Sequence, residues 1–217
     1  MKNEERVSGL VEDISSERAV VESELPLEWQ TMLARSAARH HHLCPRQILG
    51  ARVGLAGAAA VGMDVPRTDK RLLVIVETDG CFISGVEAAT GCCIHRRTMR
   101  MVDYGKIAAV FVNVITGQTV RVAPRPDVRQ QALIYAPDEN RRYFAMLHGY
   151  QVMPVEALLA VQEVQLRASL GEMISRPGVH ANCSRCGEEI INERELIYEG
   201  EILCRACQGI AYYMKVP

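Results

Sequence analysis

Eight cysteines are the residues of this 217-residue chain whose types and spacing indicate chemistry most clearly. Four of them form two Cys-x-x-Cys pairs with seventeen residues between the pairs: Cys183, Cys186, Cys204 and Cys207. This spacing is typical of a tetrahedral zinc site with four thiolate ligands. Because such a site has no open coordination position, we predict a structural zinc ion rather than a catalytic one. Its expected role is to dock a protein partner or to brace a dimer.

The segment that carries these pairs, residues 179–213, is too short to fold on an apolar core alone, so zinc is expected to supply much of its stability. We predict a hairpin over 195–203 and a helix over 206–214. With these elements the segment resembles the treble-clef class of zinc fingers. Two disulfides or a thioredoxin-like redox pair are the alternatives. A reducing compartment disfavours the first, and the absence of a βαβ pattern disfavours the second.

A second group of thiols, imidazoles and carboxylates lies in the first half of the chain. Its three motifs are His42-Leu43-Cys44, Asp79-Gly80-Cys81 and Gly91-Cys92-Cys93-Ile94-His95. Cys44 directly precedes Pro45, which suits the first turn of a helix, and the positive end of that helix is expected to favour the Cys44 thiolate. A histidine, two or three thiols and a carboxylate can therefore converge. Such ligands select zinc, nickel, iron or copper over magnesium or calcium.

These residues also have a simpler interpretation. Free cysteine is among the most buried residue types and often serves as a small apolar side chain, and we assign Cys93 to the core on this ground. His40 and His41 follow a predicted helix, and we interpret them as solvated groups at its end. The residue types alone leave both interpretations of the other cysteines open.

The predicted helices and strands place these motifs at the ends of elements. Helices are predicted over 27–39, 47–62, 84–90, 133–147 and 155–170, and strands over 71–78, 98–102, 107–114 and 119–122. This order favours an α+β domain with an antiparallel sheet packed with helices. Glycines at 50, 54 and 57 predict close contact between the second helix and another backbone. One candidate for that backbone is the same helix of a second copy, and we predict a homodimer.

The predicted organisation has three parts: a flexible acidic leader over 1–24, the α+β core domain over 25–175 and a small zinc-finger domain over 176–217. In the leader, seven acidic side chains stand against three basic ones, and large apolar residues are few. A linker is expected over 171–178, where Pro177 lies between two glycines.

Composition and charge narrow the possible partners. The chain has 25 basic and 26 acidic side chains, a formal net charge of −1, so it lacks the positive field that would hold a polyanion such as nucleic acid. With 48% hydrophobic residues it has the profile of a globular protein with a sizeable core. We find neither a secretory signal nor a membrane-spanning stretch in the sequence, and we therefore expect a cytoplasmic protein without a membrane partner.

An ordered set of motifs carries a resemblance to a known family. The motifs are HHLCP at 41–45, VETDGC at 76–81, TGCC at 90–93 and DYGK at 103–106, followed by the finger. Together they resemble the FmdE family, which is named after a component of formylmethanofuran dehydrogenase. The resemblance implies an α+β core, often dimeric, with a pocket lined by His42, Cys44, Cys81 and Cys92, and with Asp79 and Lys106 nearby. The chain departs from the family pattern at His41, Arg46, Ser84, Cys93 and His95.

The resemblance leads to a first hypothesis about function: a metal-binding accessory protein linked to molybdenum- or tungsten-dependent one-carbon redox metabolism. It would carry the structural zinc and a second metal or thiol site, with zinc, nickel or iron as the expected second ion. The alternative is a stand-alone metal- or cysteine-dependent enzyme that uses Cys44, Asp79 and Lys106 as catalytic residues. A nucleic-acid-binding regulator is disfavoured, because acidic side chains outnumber basic ones in the finger.

Overall fold

The computed structural model describes residues 26–38, 40, 42–174, 176–214 and 216. The predicted acidic leader, residues 1–24, lies outside the described residues. The chain divides into two compact units, the first extending to Gln165 and the second running from Leu166 to Pro217. The second unit therefore begins ten residues before the predicted boundary at 175/176. In the part of the chain that the structure describes, no helix has the length and apolar character needed to cross a membrane.

The first unit contains six helices and five strands among its described residues. In chain order they are α1 (Leu27–Ala37), α2 (Pro45–Ala60), β1 (Leu72–Val76), α3 (Cys81–Thr90), β2 (Met99–Met101), β3 (Ala109–Asn113), β4 (Thr119–Pro124), α4 (Val128–Tyr135), α5 (Arg142–Val152), α6 (Val155–Leu158) and β5 (Leu159–Glu163). The predicted order of elements is confirmed as far as β4.

The strands form one sheet in the order β2-β1-β3-β4-β5. The pairs β1–β3, β3–β4 and β4–β5 are antiparallel, whereas β2 runs parallel to β1, with Val74 opposite Met99. The predicted α+β fold with helices packed on a sheet is confirmed, and β2 is the departure from the antiparallel prediction. All five residues of β1 are buried, as expected of an interior strand.

Helices α2 and α3 pack with their backbones in contact because both carry glycine where they cross. A Cβ atom at Gly50 would overlap the carbonyl oxygen of Phe82, and one at Gly85 would overlap the carbonyl oxygen of Gln47. Close backbone contact is therefore confirmed at Gly50, whereas Gly54 and Gly57 lie against the side chains of Ala89 and Phe111, and all of these partners belong to the same chain. The glycines thus give no support to a homodimer, which stays a prediction without this argument.

Two predicted helices are wrong in extent. The segment 133–147 is interrupted by a non-helical stretch that contains Pro137, so that α4 ends at Tyr135 and α5 begins at Arg142. The segment 155–170 is helical only as far as Leu158, after which the chain pairs with β4, with Val161 opposite Val122. The segment is extended here because it pairs with β4 as an edge strand. Hydrophobic periodicity does not reveal such pairing, so the sequence predicts a helix.

The second unit contains a short helix, α7 (Leu170–Ile174), and two hairpins. The strands are β6 (His180–Asn182), β7 (Glu189–Ile191), β8 (Leu196–Tyr198) and β9 (Glu201–Leu203). The predicted hairpin over 195–203 is confirmed, because β8 and β9 pair antiparallel with Tyr198 opposite Glu201. Glu199 and Gly200 between them both have positive φ, as a tight turn between twisted strands requires. The predicted helix over 206–214 is wrong. Hydrogen-bonded turns end there at Gly209, which has a φ of +92°.

Candidate metal centres

The two cysteine pairs of the second unit converge on one point. Their four sulfur atoms all lie within 4.8 Å of one another, and the sulfurs of Cys186 and Cys204 are 3.9 Å apart. Zinc–sulfur bonds of about 2.3 Å at a tetrahedral angle place two sulfurs about 3.8 Å apart. Four thiolates at this separation match the ligand number and spacing of a structural zinc site, so the donor set fits the ion that the sequence predicts.

Backbone geometry prepares these thiols for metal binding. The Cys183 sulfur accepts a hydrogen bond from the backbone N–H of Cys204 at 3.3 Å, and the Cys204 sulfur accepts one from the N–H of Cys207 at 3.4 Å. Donation from the backbone N–H groups of Cys186 and Cys204 lowers the pKa of Cys183 to about 6. A thiol with this pKa is largely ionised at neutral pH, which is the form that coordinates zinc.

Tight turns hold the first cysteine pair beside a small apolar cluster. The N–H of Cys183 donates to the carbonyl of Glu188, and the N–H of Gly187 donates back to the carbonyl of Cys183. Cys183 is buried together with Ile190 and Leu203. Three buried side chains are too few to stabilise a fold, so the geometry agrees with a unit that depends on its ion.

In the first unit, a cavity of about 420 Å³ lies where the N-termini of α2 and α3 approach each other. Its lining residues are His42, Cys44, Pro45, Arg46, Leu49, Cys81, Ile107, Arg129, Tyr143, Met146 and Tyr150. The volume lies in the range of small-ligand sites. Burial raises the pKa of Tyr143 to about 12, and the neighbouring Cys44 and Cys81 thiols contribute to the increase. Two thiols from separate elements therefore face the same cavity, beside a phenol.

Cys44 is fixed by the start of α2. It occupies the N-cap position before Pro45, and its backbone N–H donates to Oε1 of Gln47 at 2.7 Å. Buried Gln47 in turn donates from Nε2 to the carbonyl of Ser36 at 3.0 Å, so that one side chain ties α1 to the beginning of α2. These hydrogen bonds fix the backbone at Cys44, so the start of α2 holds the thiol in a defined position.

The helix end favours the Cys44 thiolate as expected, but it does not decide the net pKa of this thiol. Burial raises the pKa of Cys44 to about 11, and the Cys81 thiol adds to the increase, whereas the nearby backbone N–H groups lower it. Desolvation therefore outweighs the helix end. Cys44 holds its proton at neutral pH unless a metal ion displaces it.

Cys81 opens α3, directly after Gly80, which has a φ of +73°. The Cys81 sulfur lies 3.9 Å from Nδ1 of His40, and Nε2 of the same ring lies 2.8 Å from Oγ of Ser84. His40 is thus the imidazole in contact with Cys81, a role that sequence reasoning missed. The contact depends on the path of the chain between α1 and α2. The run of histidines before Cys44 is the sequence feature that could have indicated an imidazole near these thiols.

The structure brings His42, Cys44 and Cys81 to one cavity but does not bring Cys92 there. Cys92 is buried, and its sulfur donates to the carbonyl of Leu72 at the start of β1, at 3.5 Å. Cys81 and Cys92 lie towards opposite ends of α3, a helix of ten residues that spans about 15 Å. Burial also raises the pKa of Cys92, as expected of a thiol in the core.

The ligand atoms around this cavity are not arranged around an ion. Among the described residues, the groups of three or more ligands within 4.8 Å of one another are the finger cysteines and the set Glu87, Cys93 and His95. Binding of an ion by His42, Cys44 and Cys81 would therefore require their side chains to move closer together.

Asp79 and Lys106 stand apart from the cavity that the two thiols share. Both are exposed, and neither is among its lining residues. Glu77, in the same motif at 76–81, is buried. Its carboxylate accepts two hydrogen bonds of 2.7 Å from Arg121. The carbonyl of Glu77 also accepts from the N–H groups of Tyr104 and Lys106. Glu77 thus fixes the loop that carries Lys106.

An α+β unit with a thiol-lined cavity, followed by a four-cysteine zinc finger, defines a class of metal-binding proteins. The chain belongs to the family described as "FmdE, Molybdenum formylmethanofuran dehydrogenase operon", whose model matches residues 39–160. Residues 178–213 match the family described as "Prokaryotic dksA/traR C4-type zinc finger". The suspected family and the finger are both confirmed.

Two individual proteins are also similar to this chain. A crystal structure described as that of a "tungsten formylmethanofuran dehydrogenase subunit e (fmde)-like protein" from Syntrophus aciditrophicus covers 84% of the chain and is itself covered to 92%, with 20% identity and a TM-score of 0.52. This likeness shows the fold. A "Probable S-adenosyl-L-methionine-binding protein" from Archaeoglobus fulgidus is 26% identical over 85% of the chain. The chain spans 54% of the length of that relative.

Proposed function

We propose that this protein is a metal-binding accessory protein of molybdenum- or tungsten-dependent one-carbon redox metabolism. Its first unit binds a second transition-metal ion through Cys44 and Cys81, with imidazole from His42, in the shared cavity. The observation that carries the proposal is that thiols at the starts of α2 and α3 line one cavity. The description of the matching family supports the metabolic assignment.

The ligand chemistry narrows the choice of ion. Two thiols and an imidazole favour zinc, nickel or iron(II) over the hard cations that prefer oxygen ligands. Thiols bind metal as thiolates, so Cys44, whose pKa is about 11, must release a proton when the ion binds. Affinity therefore increases with pH, and the ion at this cavity exchanges more readily than the zinc of the finger.

Metal analysis of single variants tests the proposal. Purified protein is equilibrated with zinc, nickel or iron(II) and freed of excess metal, and its metal content per chain is measured. We expect Cys44→Ser and Cys81→Ser each to lose one equivalent relative to wild type, because each removes a ligand. Cys92→Ala is the matched control, since Cys92 lies at the far end of α3. An unchanged metal content in both serine variants, with the fold preserved by circular dichroism, would refute the site.

A second candidate function is binding of a small organic ligand in the same cavity. The name of the Archaeoglobus relative suggests S-adenosyl-L-methionine, and the cavity of about 420 Å³ includes Arg46 and Arg129 beside an apolar wall. Calorimetric titration of the metal-free protein with S-adenosyl-L-methionine tests this candidate. Saturable binding that Arg129→Ala abolishes would favour it over the metal site. The absence of saturable binding, both in calorimetry and in equilibrium dialysis with labelled ligand, would exclude it.

The alternative of a stand-alone enzyme finds less support in this geometry. Asp79 and Lys106, its proposed proton-transfer groups, are both exposed and lie outside the lining of the cavity that holds Cys44. The finger is the part of the chain that we assign to recognition of a protein partner. Its excess of acidic side chains suits a basic protein surface better than nucleic acid.

A further inference from the structure

A second set of metal-ligating side chains lies around the C-terminal end of α3. The carboxylate of Glu87, the sulfur of Cys93 and the imidazole of His95 offer ligand atoms that all lie within 4.8 Å of one another. We propose that these three residues bind a zinc ion, at a site separate from both the finger and the Cys44–Cys81 cavity. The inference does not depend on the function proposed above.

The spacing of the ligand atoms suits zinc. The Cys93 sulfur lies 3.4 Å from Nε2 of His95. Zinc–sulfur and zinc–nitrogen bonds of about 2.3 and 2.0 Å at a tetrahedral angle place the two atoms about 3.5 Å apart. One thiolate, one imidazole and one carboxylate form a mixed donor set that zinc accepts and that magnesium or calcium does not favour. Little rearrangement is therefore needed for Cys93 and His95 to share an ion.

The two elements that carry these ligands are held in place by hydrogen bonds. The N–H of Cys93 donates to Oγ1 of Thr98 at 3.0 Å, and the carbonyl of Cys93 accepts from the N–H of Met99 at 3.2 Å. Between them the chain makes a turn in which Arg97 has a positive φ of +62°. This closed loop positions Cys93 against the edge of the sheet, with His95 on its exposed side.

Glu87 reaches the same point from the last turns of α3. The carbonyl of Glu87 accepts the hydrogen bond of Gly91, which ends the helix in the left-handed conformation at a φ of +74°. A Cβ atom at Gly91 would lie 2.7 Å from the carbonyl oxygen of Arg67, so only glycine fits this end. The direction in which the chain leaves α3 towards Cys93 is therefore fixed by packing rather than by the ligands.

The surroundings leave room for an exchangeable ligand. The three residues line a cavity of about 330 Å³, together with Ser84, Arg35 and Arg96. Two ionised ligands, the Glu87 carboxylate and the Cys93 thiolate, balance the charge of Zn²⁺. With three protein ligands the fourth position is open to water, which is the coordination pattern of an exchangeable zinc site rather than a closed structural one. The arginines oppose a bare cation and favour an anionic ligand at that position.

Variants at the exposed positions Ile94 and His95 test this site without disturbing the core, and a variant of buried Cys93 complements them. The full-length protein is dialysed against buffered micromolar zinc, and zinc per chain is measured by inductively coupled plasma mass spectrometry. His95→Ala is expected to lose one zinc per chain, whereas Ile94→Ala, at an equally exposed position of the same loop, is expected to keep the wild-type content. Cys93→Ser should match His95→Ala, and cobalt(II) spectra should show the loss of one thiolate-to-cobalt band.

The outcomes separate this site from the other cavity. Cys44→Ser combined with His95→Ala should lose two equivalents, because the two sites are independent. If His95→Ala and Cys93→Ser, both folded, retain the zinc content and cobalt spectrum of wild type, the site does not exist. That result would leave the proposal for Cys44 and Cys81 untouched, and failure of the Cys44→Ser test would likewise leave this site standing.

Discussion

At Cys44, two physical effects act on one thiol in opposite directions. Backbone N–H groups at the start of α2 stabilise the thiolate, whereas burial and the neighbouring Cys81 thiol stabilise the protonated form, and the pKa rises to about 11. At Cys183 the balance is reversed, because backbone donors act on a sulfur at which desolvation is the smaller effect, and the pKa falls to about 6. The thiols of the finger and of the Cys44–Cys81 cavity therefore differ in how readily they ionise.

The raised pKa of Cys44 predicts how its reactivity and the stability of the fold change with pH. Alkylation of Cys44 by iodoacetamide should be slow at neutral pH and increase up to about pH 11, because the thiolate is the nucleophile. Since the folded-state pKa exceeds the ordinary value of 9.0, stability is unaffected below pH 9 and decreases as the pH rises from about 9 to about 11. Peptide mapping of the alkylated protein measures the reactivity, and a plateau below pH 9 would contradict the assignment.

The residues of the Cys44–Cys81 cavity are partly predictable from the sequence. Cys44 and Cys81 each precede a predicted helix, so the sequence places both thiols at helix starts. The family resemblance places Cys92 with them, and a third helix predicted to start only at Ser84 does not conflict with that placement. The structure starts α3 at Cys81, and the whole helix then separates the two cysteines. His40 escapes prediction, because its contact with Cys81 depends on tertiary packing between α1 and α3.

At the scale of elements, the site depends on the contact between α2 and α3. Glycines on both helices let the backbones meet, and this contact brings the N-terminal thiols of the two helices to one cavity. The ion pair of Glu77 with Arg121 then fixes the end of β1, from which the chain continues to Cys81. The sequence indicates β1, β3 and β4 through β-branched runs, whereas β5 exists because it pairs with β4, which local pattern does not report.

Filling the contact between the helices should destabilise the first unit. Gly50→Ala places a methyl group on the carbonyl oxygen of Phe82, and because backbone atoms cannot move aside easily we expect a loss of about 2 to 3 kcal/mol in the free energy of unfolding. Gly171→Ala, in the second unit, is the control for the glycine-to-alanine change itself, since Gly171 is also helical and has open space around it. Urea denaturation measures both. Equal stability of the two variants would show that the helices are not in contact.

Removing one partner of the Glu77–Arg121 pair should cost more than removing both. Arg121→Met leaves the buried carboxylate of Glu77 without its two hydrogen bonds, and we expect a loss on the order of 3 kcal/mol. In the double variant with Glu77→Gln, part of this loss should be recovered, because no buried charge remains. Thermal or urea unfolding of the four proteins completes the cycle. Strictly additive losses would mean that the two side chains do not interact.

On the scale of the whole molecule, two units differ in what stabilises them. The first has an extended buried core, whereas the second has a buried cluster of Cys183, Ile190 and Leu203 and relies on its metal. The order and class of most elements could be predicted from the sequence, and so could the finger, since its cysteine spacing fixes its ligands. The predicted homodimer still awaits a test, and its mass in solution by light scattering would provide one.

Removal of zinc should unfold the second unit alone. Chelation deprives four thiolates of their ion, and with so few buried side chains the region from 178 to 213 should lose its structure. Hydrogen exchange followed by mass spectrometry would then show rapid exchange throughout that region, while peptides from β1 and β3 remain protected. Retained protection in the region after chelation would indicate that apolar packing, rather than zinc, stabilises it.

Joint binding of a transition-metal ion by Cys44 and Cys81 is the basis of the proposed function. The most direct measurement is an anomalous difference map from a crystal of the full chain equilibrated with nickel or zinc, collected at the absorption edge of the metal. We expect a peak within bonding distance of both sulfurs and no peak at Cys92. A fully metal-loaded finger with no anomalous density between Cys44 and Cys81 would contradict it.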